Sequence, residues 1–143
     1  MQVGSKKWVA DLAHVGLLPN KTRRMKLPEI PAAFLGDFVR GYFDGDGNVW
    51  MGEIHKQRKT THVTLQVFFT SGCHEFLDAL CSVLRGRGLK GGSLYRLSGG
   101  NYSRLIFSSR DALTLAEIMY NGRPKLYLER KKLRFDQFKI LRE

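Results

Sequence analysis

Acidic residues are scarce in this 143-residue chain, where 13 Asp and Glu face 24 Lys and Arg and leave a formal net charge of +11. Cysteine is scarcer, with only Cys73 and Cys81. The two lie on what reads as one helix, about 12 Å apart along its axis, too far for a disulfide. They form no CxxC pair, and His14, His55, His62 and His74 stand at no zinc-like spacing from them, so both thiols read as packed core. The longest apolar-rich run, positions 63–69, is far short of the ~20 residues that span a bilayer. Lys6, Lys7, Asp11 and His14 break up the apolar residues at the start, leaving no core for a secretory signal. A disulfide scaffold and a transmembrane helix are excluded, no zinc site is signalled, no membrane partner is expected because the basic clusters lie mostly in loops and strand ends and not on one amphipathic helix, and the chain reads as intracellular. At this length folding buries roughly two-thirds of the chain's surface, enough for one self-supporting core.

The basic residues are clustered. Lys21, Arg23, Arg24 and Lys26 form one group, Lys56, Arg58 and Lys59 a second, and Lys125, Arg130, Lys131, Lys132 and Arg134 a third. Between positions 79 and 110 there are six Lys and Arg and no acid, interleaved with Tyr95 and Tyr102. Such an excess points to a polyanion, of which nucleic acid is the commonest, against the plainer reading of a solvated basic surface.

Ser5 can cap a short helix ending near His14, and a basic connector follows, so residues 1–26 read as an N-terminal helix with its connector and 27–143 as one domain. Pro31 suits the first turn of a helix from 32 to about 43, stopped by Gly45-Asp46-Gly47. Strands are expected over 48–54 and 62–69, then a helix capped by Ser71, a hairpin over 94–97 and 102–108, a helix from Asp111 to Tyr120, and a basic closing helix. From position 32 the order is αββαββα, an α+β fold. Its four-stranded antiparallel sheet is covered by helices on one side and polar on the other, a shape that fits a DNA groove.

One segment carries chemistry: Val39-Arg40-Gly41-Tyr42-Phe43-Asp44-Gly45-Asp46-Gly47. Two carboxylates this close are costly neighbours unless positive charge is supplied, and Mg²⁺ typically takes one or two carboxylates and fills its other positions with water and phosphate oxygens. Gly41 and Gly45, four apart on one helix face, remove side chains where a second helix could cross closely. An EF-hand loop fails, because its sixth position would be Val49 and its twelfth His55. A plain Asp-Gly turn, or Asp44 holding that turn and leaving Asp46 as sole metal ligand, remains open.

The segment resembles the LAGLIDADG motif of homing endonucleases and their maturase relatives. Val39 stands at the motif's opening Leu, Arg40 at its Ala, Gly41 at its Gly, and Asp44-Gly45-Asp46-Gly47 at its Asp-Ala-Asp-Gly end. The likeness extends to Leu27-Pro28-Glu29-Ile30-Pro31 before the helix, to Thr70-Ser71-Gly72, and to Tyr127-Leu128-Glu129-Arg130-Lys131, over positions 21–141. The departures are Val39 and Arg40, the latter expected to face solvent.

The resemblance implies a sheet shaped as a DNA-binding saddle and a Mg²⁺-dependent endonuclease cutting both strands of double-stranded DNA across the minor groove. Two motif helices would pack through Gly41 and Gly45 in a homodimer on a near-palindromic site. Asp46 would hold the metal, with Asp44 beside it. Gln66 would orient the attacking water, and Lys131 would assist, with Lys125 and Lys132 as alternatives. Sequence reading would fall to Lys56, Arg58, Lys59, His62, Thr64, Gln66, Tyr95, Arg96 and Arg104. Alternation leaves open whether Tyr95 or Arg96 faces DNA and where the Trp50 indole lies. The alternatives are a non-cleaving DNA- or RNA-binding maturase or regulator on the same scaffold, or half of a two-motif enzyme. Retention of both Asp44 and Asp46 favours the nuclease, since an acidic pair next to phosphate only weakens a pure binder.

Overall fold

The computed structural model describes residues 4–14, 23–54, 57 and 62–142. Its elements are α1 (Lys6–His14), a 3₁₀ turn (Ala32–Phe34), α2 (Leu35–Asp46), β1 (Gly47–Ile54), β2 (His62–Ser71), α3 (His74–Arg85), β3 (Ser93–Arg96), β4 (Ser103–Ser108), α4 (Arg110–Tyr120) and α5 (Glu129–Ile140). The strands form one antiparallel sheet in the order β1-β2-β4-β3, so the two hairpins lie side by side with β2 and β4 at the centre.

Strand alternation divides the sheet into two faces. Val49, Leu65, Val67, Phe69, Leu105 and Phe107 are buried on one side. Against them pack Leu35, Val39 and Phe43 of α2, Leu77, Leu80 and Leu84 of α3, Leu115 and Met119 of α4, and Phe135 and Phe138 of α5. Spacings of three and four along each helix turn one apolar stripe to the sheet. Among the described residues no helix covers the opposite face, which is the one expected to form the saddle. Cys73 and Cys81 are both buried and free, as the composition suggests, and burial pushes the Cys81 thiol pKa up. Among the described residues no helix is long and apolar enough to cross a membrane.

Three expectations are corrected. The motif helix runs three residues past Phe43 and takes Gly45 and Asp46 into its last turn. Ser71 is not the cap of α3, which begins at His74; its Oγ instead accepts from the Cys73 N–H at 3.0 Å, in the turn between strand and helix. Val63, which strand alternation with Leu65, Val67 and Phe69 assigns to the core face, stands instead at the exposed start of β2. Ser5 does cap α1, its Oγ accepting from the Trp8 N–H at 3.3 Å, yet α1 buries none of its residues.

α2 crosses α4 closely at Gly36, where an added Cβ would run into the Ile118 carbonyl oxygen, whereas a Cβ at Gly41 would meet nothing within 4 Å. Gly36→Ala is therefore expected to lower stability by about 1–3 kcal/mol, because a backbone carbonyl cannot step aside. Gly41→Ala in dilute protein should lose nothing. Urea unfolding midpoints check this, and equal effects would contradict the crossing.

Candidate functional site

Residues two apart on an α-helix point about 200° from each other, so the motif's two carboxylates part company once the helix includes both. Asp44 is half-buried and turns toward the chain before α5, where its Oδ2 accepts from the Leu128 N–H at 3.1 Å. Its Oδ1 is buried without a partner among the described residues. Asp46 is exposed and makes no hydrogen bond or ion pair among the described residues. It opens onto a groove of about 380 Å³ walled by Met25, Tyr42, Thr70, Ser71, Gly72 and Tyr102. Tyr42 stands one helical turn before Asp46, and its hydroxyl donates to the Thr70 carbonyl at 2.8 Å. Burial, with the Asp46 charge adding to it, pushes the Tyr42 pKa up to about 12, so the hydroxyl stays protonated.

Lys131, proposed from its sequence position to assist the chemistry, has another task. Its side chain is buried, and Nζ donates to the carbonyls of Phe43 at 2.6 Å, Asp44 at 3.0 Å and Gly47 at 2.6 Å. The ammonium also sits 4.9 Å from the centre of the Phe43 ring. An ammonium has three donors, and a helix C-terminus offers orphan carbonyls and partial negative charge, so Lys131 closes α2 at Asp46. Burial lowers its pKa, opposed chiefly by the Asp44 carboxylate. All three of its donors are committed to backbone, which removes it as the cation for a phosphate. Lys132 pairs with Asp136 at 2.7 Å, and Lys125 is exposed.

Arg40 does not face solvent as expected. Its guanidinium donates to the Met119 carbonyl at 2.9 Å, the Leu126 carbonyl at 3.1 Å and Asp37 at 2.6 Å, tying α2 to the end of α4 and the connector behind it. An Arg at the motif's Ala position is thus a brace built from one planar fork.

Strand pairing decides which candidates share the saddle. Gln66 faces Trp50 and Ser108, His62 faces Ile54, and Arg104 faces Thr70 and Tyr95. Arg104 lies 5.4 Å from the centre of the Phe68 ring, with a buried Nε that has no partner among the described residues. Trp50 is on this face too, 42% exposed, its indole lying over Gly52 where a Cβ would collide with it. Two candidates are displaced. Arg96 pairs with Ser103 and so stands on the helix side, while Thr64 is buried and bonded to the Ser109 hydroxyl at 2.9 Å. Lys56, Arg58 and Lys59 lie outside the described residues. Gln66 does not line the Asp46 groove; register places it four strand positions further on, roughly 13 Å away. Tyr42 and Tyr102 of that groove were not singled out as site residues, although the Tyr42–Asp46 spacing of four was a usable signal.

No protein-family model matches the chain, and no curated protein matches it in sequence. Solved structures do match. An archaeal intron-encoded homing endonuclease complexed with DNA is 15% identical over 75% of this chain and 67% of its own, with a TM-score of 0.59. The homing endonuclease I-TnaI is 19% identical over 80% of this chain and 71% of its own, with a TM-score of 0.53. The LAGLIDADG meganuclease I-AabMI bound to uncleaved DNA is 18% identical over 73% of this chain and 35% of its own, with a TM-score of 0.53. The fold is that of the LAGLIDADG homing endonucleases. This chain spans about a third of the meganuclease and roughly seven-tenths of the other two.

Lys131→Met is expected to cost about 2–5 kcal/mol by removing the ammonium that three carbonyls share, Phe43's keeping the Gly47 N–H as a second donor, and Lys131→Arg should not rescue it, since a planar guanidinium cannot match the same three acceptors. Denaturant unfolding measures both. A Lys131→Met protein within about 0.5 kcal/mol of wild type would show that the grip carries no weight.

Proposed function

We propose that the chain is a site-specific, Mg²⁺-dependent double-strand DNA endonuclease that acts as a homodimer on a near-palindromic site. The observation that carries the reading is Asp46: a solvent-facing carboxylate with no partner among the described residues, at the end of a helix held by Arg40 at its middle and Lys131 at its C-terminus, next to an open sheet face on a chain of net charge +11. The neighbours solved with DNA support the same reading for the fold.

Among the described residues no three His, Cys, Asp or Glu side chains are grouped to hold a metal. One exposed carboxylate per chain still fits Mg²⁺, which draws the rest of its shell from water and phosphate. Bound there, Mg²⁺ would supply Lewis acidity and an activated water. The chain's own part is to present Asp46 rigidly, to keep Tyr42 protonated beside it, and to orient the duplex across the saddle. Gly41 and Gly45 are exposed with open space around them, so two copies of α2 could cross there and bring two Asp46 side chains to one axis. A homodimer would mirror the site's symmetry.

A second reading, a maturase or regulator that binds without cutting, is favoured by one observation: among the described residues no cation lines the Asp46 groove. Incubating wild type and Asp46→Asn with a randomised duplex library and Mg²⁺, then sequencing cut ends and bound fragments, separates the two. Wild type should yield reproducible double-strand cuts, and Asp46→Asn should enrich the same sequences without cutting. Enrichment by wild type with no cuts would overturn the nuclease in favour of the binder.

A further inference from the structure

The Asp46 groove presents a charge problem. Among the described residues its walls are Met25, tyrosines, hydroxyls and backbone, the one charged group lining it is the Asp46 carboxylate, and Lys131 is consumed by the helix end. A phosphodiester brought to this groove meets negative charge, and the compensating cations have to stand on its rim.

The basic connector passes there. The Met25 side chain lines the groove and packs on the core, and its carbonyl accepts from the Cys73 thiol at 3.2 Å at the start of α3. From Arg24 to Leu27 the chain alternates: Arg24 and Lys26 are exposed, Met25 and Leu27 turn inward. Arg24 closes a turn and the chain then runs on irregularly, so Met25 is pinned into the groove while the two basic residues that flank it in sequence stay exposed at the groove's edge. Neither Arg24 nor Lys26 forms an ion pair among the described residues. Two cations held by an anchored backbone lose less freedom on binding than two on a loose arm.

We infer that Arg24 and Lys26 form a phosphate clamp that grips the duplex backbone alongside the Asp46 groove, a contact separate from the saddle. The clamp makes the connector part of the DNA-binding surface and not a tether between α1 and the domain. It rests on the proposed binding of duplex DNA and holds whether or not the DNA is cut.

The test is the salt dependence of affinity for one fixed DNA duplex, measured by fluorescence anisotropy. Three proteins are compared: wild type, the double variant Arg24→Gln with Lys26→Gln, and a charge-matched control, Arg134→Gln with Lys139→Gln, at two exposed α5 positions. All four side chains are exposed, so the fold should be kept, and circular dichroism of each variant checks that it is. Each lost phosphate contact flattens the log–log slope by about 0.9, so the connector variant should be flatter by about 1.8 while the control keeps the wild-type slope. Equal flattening in both variants would reduce the effect to net charge and overturn the clamp, as would an unchanged slope in the connector variant. A wild type without salt-dependent affinity for the duplex removes DNA binding and the clamp together. A wild type that binds with the expected slopes and cuts nothing leaves the clamp standing and removes only the nuclease.

Discussion

One buried ammonium organises the end of the motif helix. Lys131 reaches from α5 to three carbonyls where α2 turns into β1, and the helix ends where those carbonyls are satisfied. The direction in which Asp46 points follows from that ending, because a helix stopped earlier would swing both motif carboxylates into a loop. Asp44 completes the joint from the other side by accepting from the Leu128 N–H at the start of the same α5. Lys131 and Asp44 thus lock α2 and α5 together, and Asp46 alone is left for solvent. Arg40 fixes α2 to α4 in the same way, with a guanidinium spent on main-chain carbonyls and Asp37.

This arrangement separates framework charges from surface charges on a very basic chain. Cations whose partners are backbone atoms build the scaffold, and those with no such partners face outward. Arg104, resting on Phe68 and facing Tyr95, is the intermediate case: a side chain held in place on the saddle by an aromatic ring, at little further entropy cost when it meets a ligand. The proposed function and the proposed clamp both use the outward class, on two adjoining surfaces.

The topology was legible because its periodicities are strong. Alternation in β2 and the three-and-four spacing of α2 and α3 give each element its inward face, and the Gly99–Gly100 turn, with φ of 97° and 69°, marks the second hairpin. Side-chain roles were less legible where they depend on distant partners. Lys131 reads as one more basic residue on a basic helix, since the carbonyl that holds it most deeply lies 88 positions away. Arg40 at a small-residue position signals nothing until α4 is beside it. Tyr95 and Arg96 are both plausible by alternation, and only the pairing of Tyr95 with Arg104 sets the phase. Asp44 and Asp46 look like a pair in sequence, and the extra turn of helix parts them.

In the proposed assembly a braced α2 offers its bare glycine face to a second copy, so that two Asp46 carboxylates serve one duplex. Sedimentation equilibrium of the chain on duplexes selected from a random library measures this most directly. Two chains per duplex is the predicted result, and one chain per duplex at saturation would contradict it.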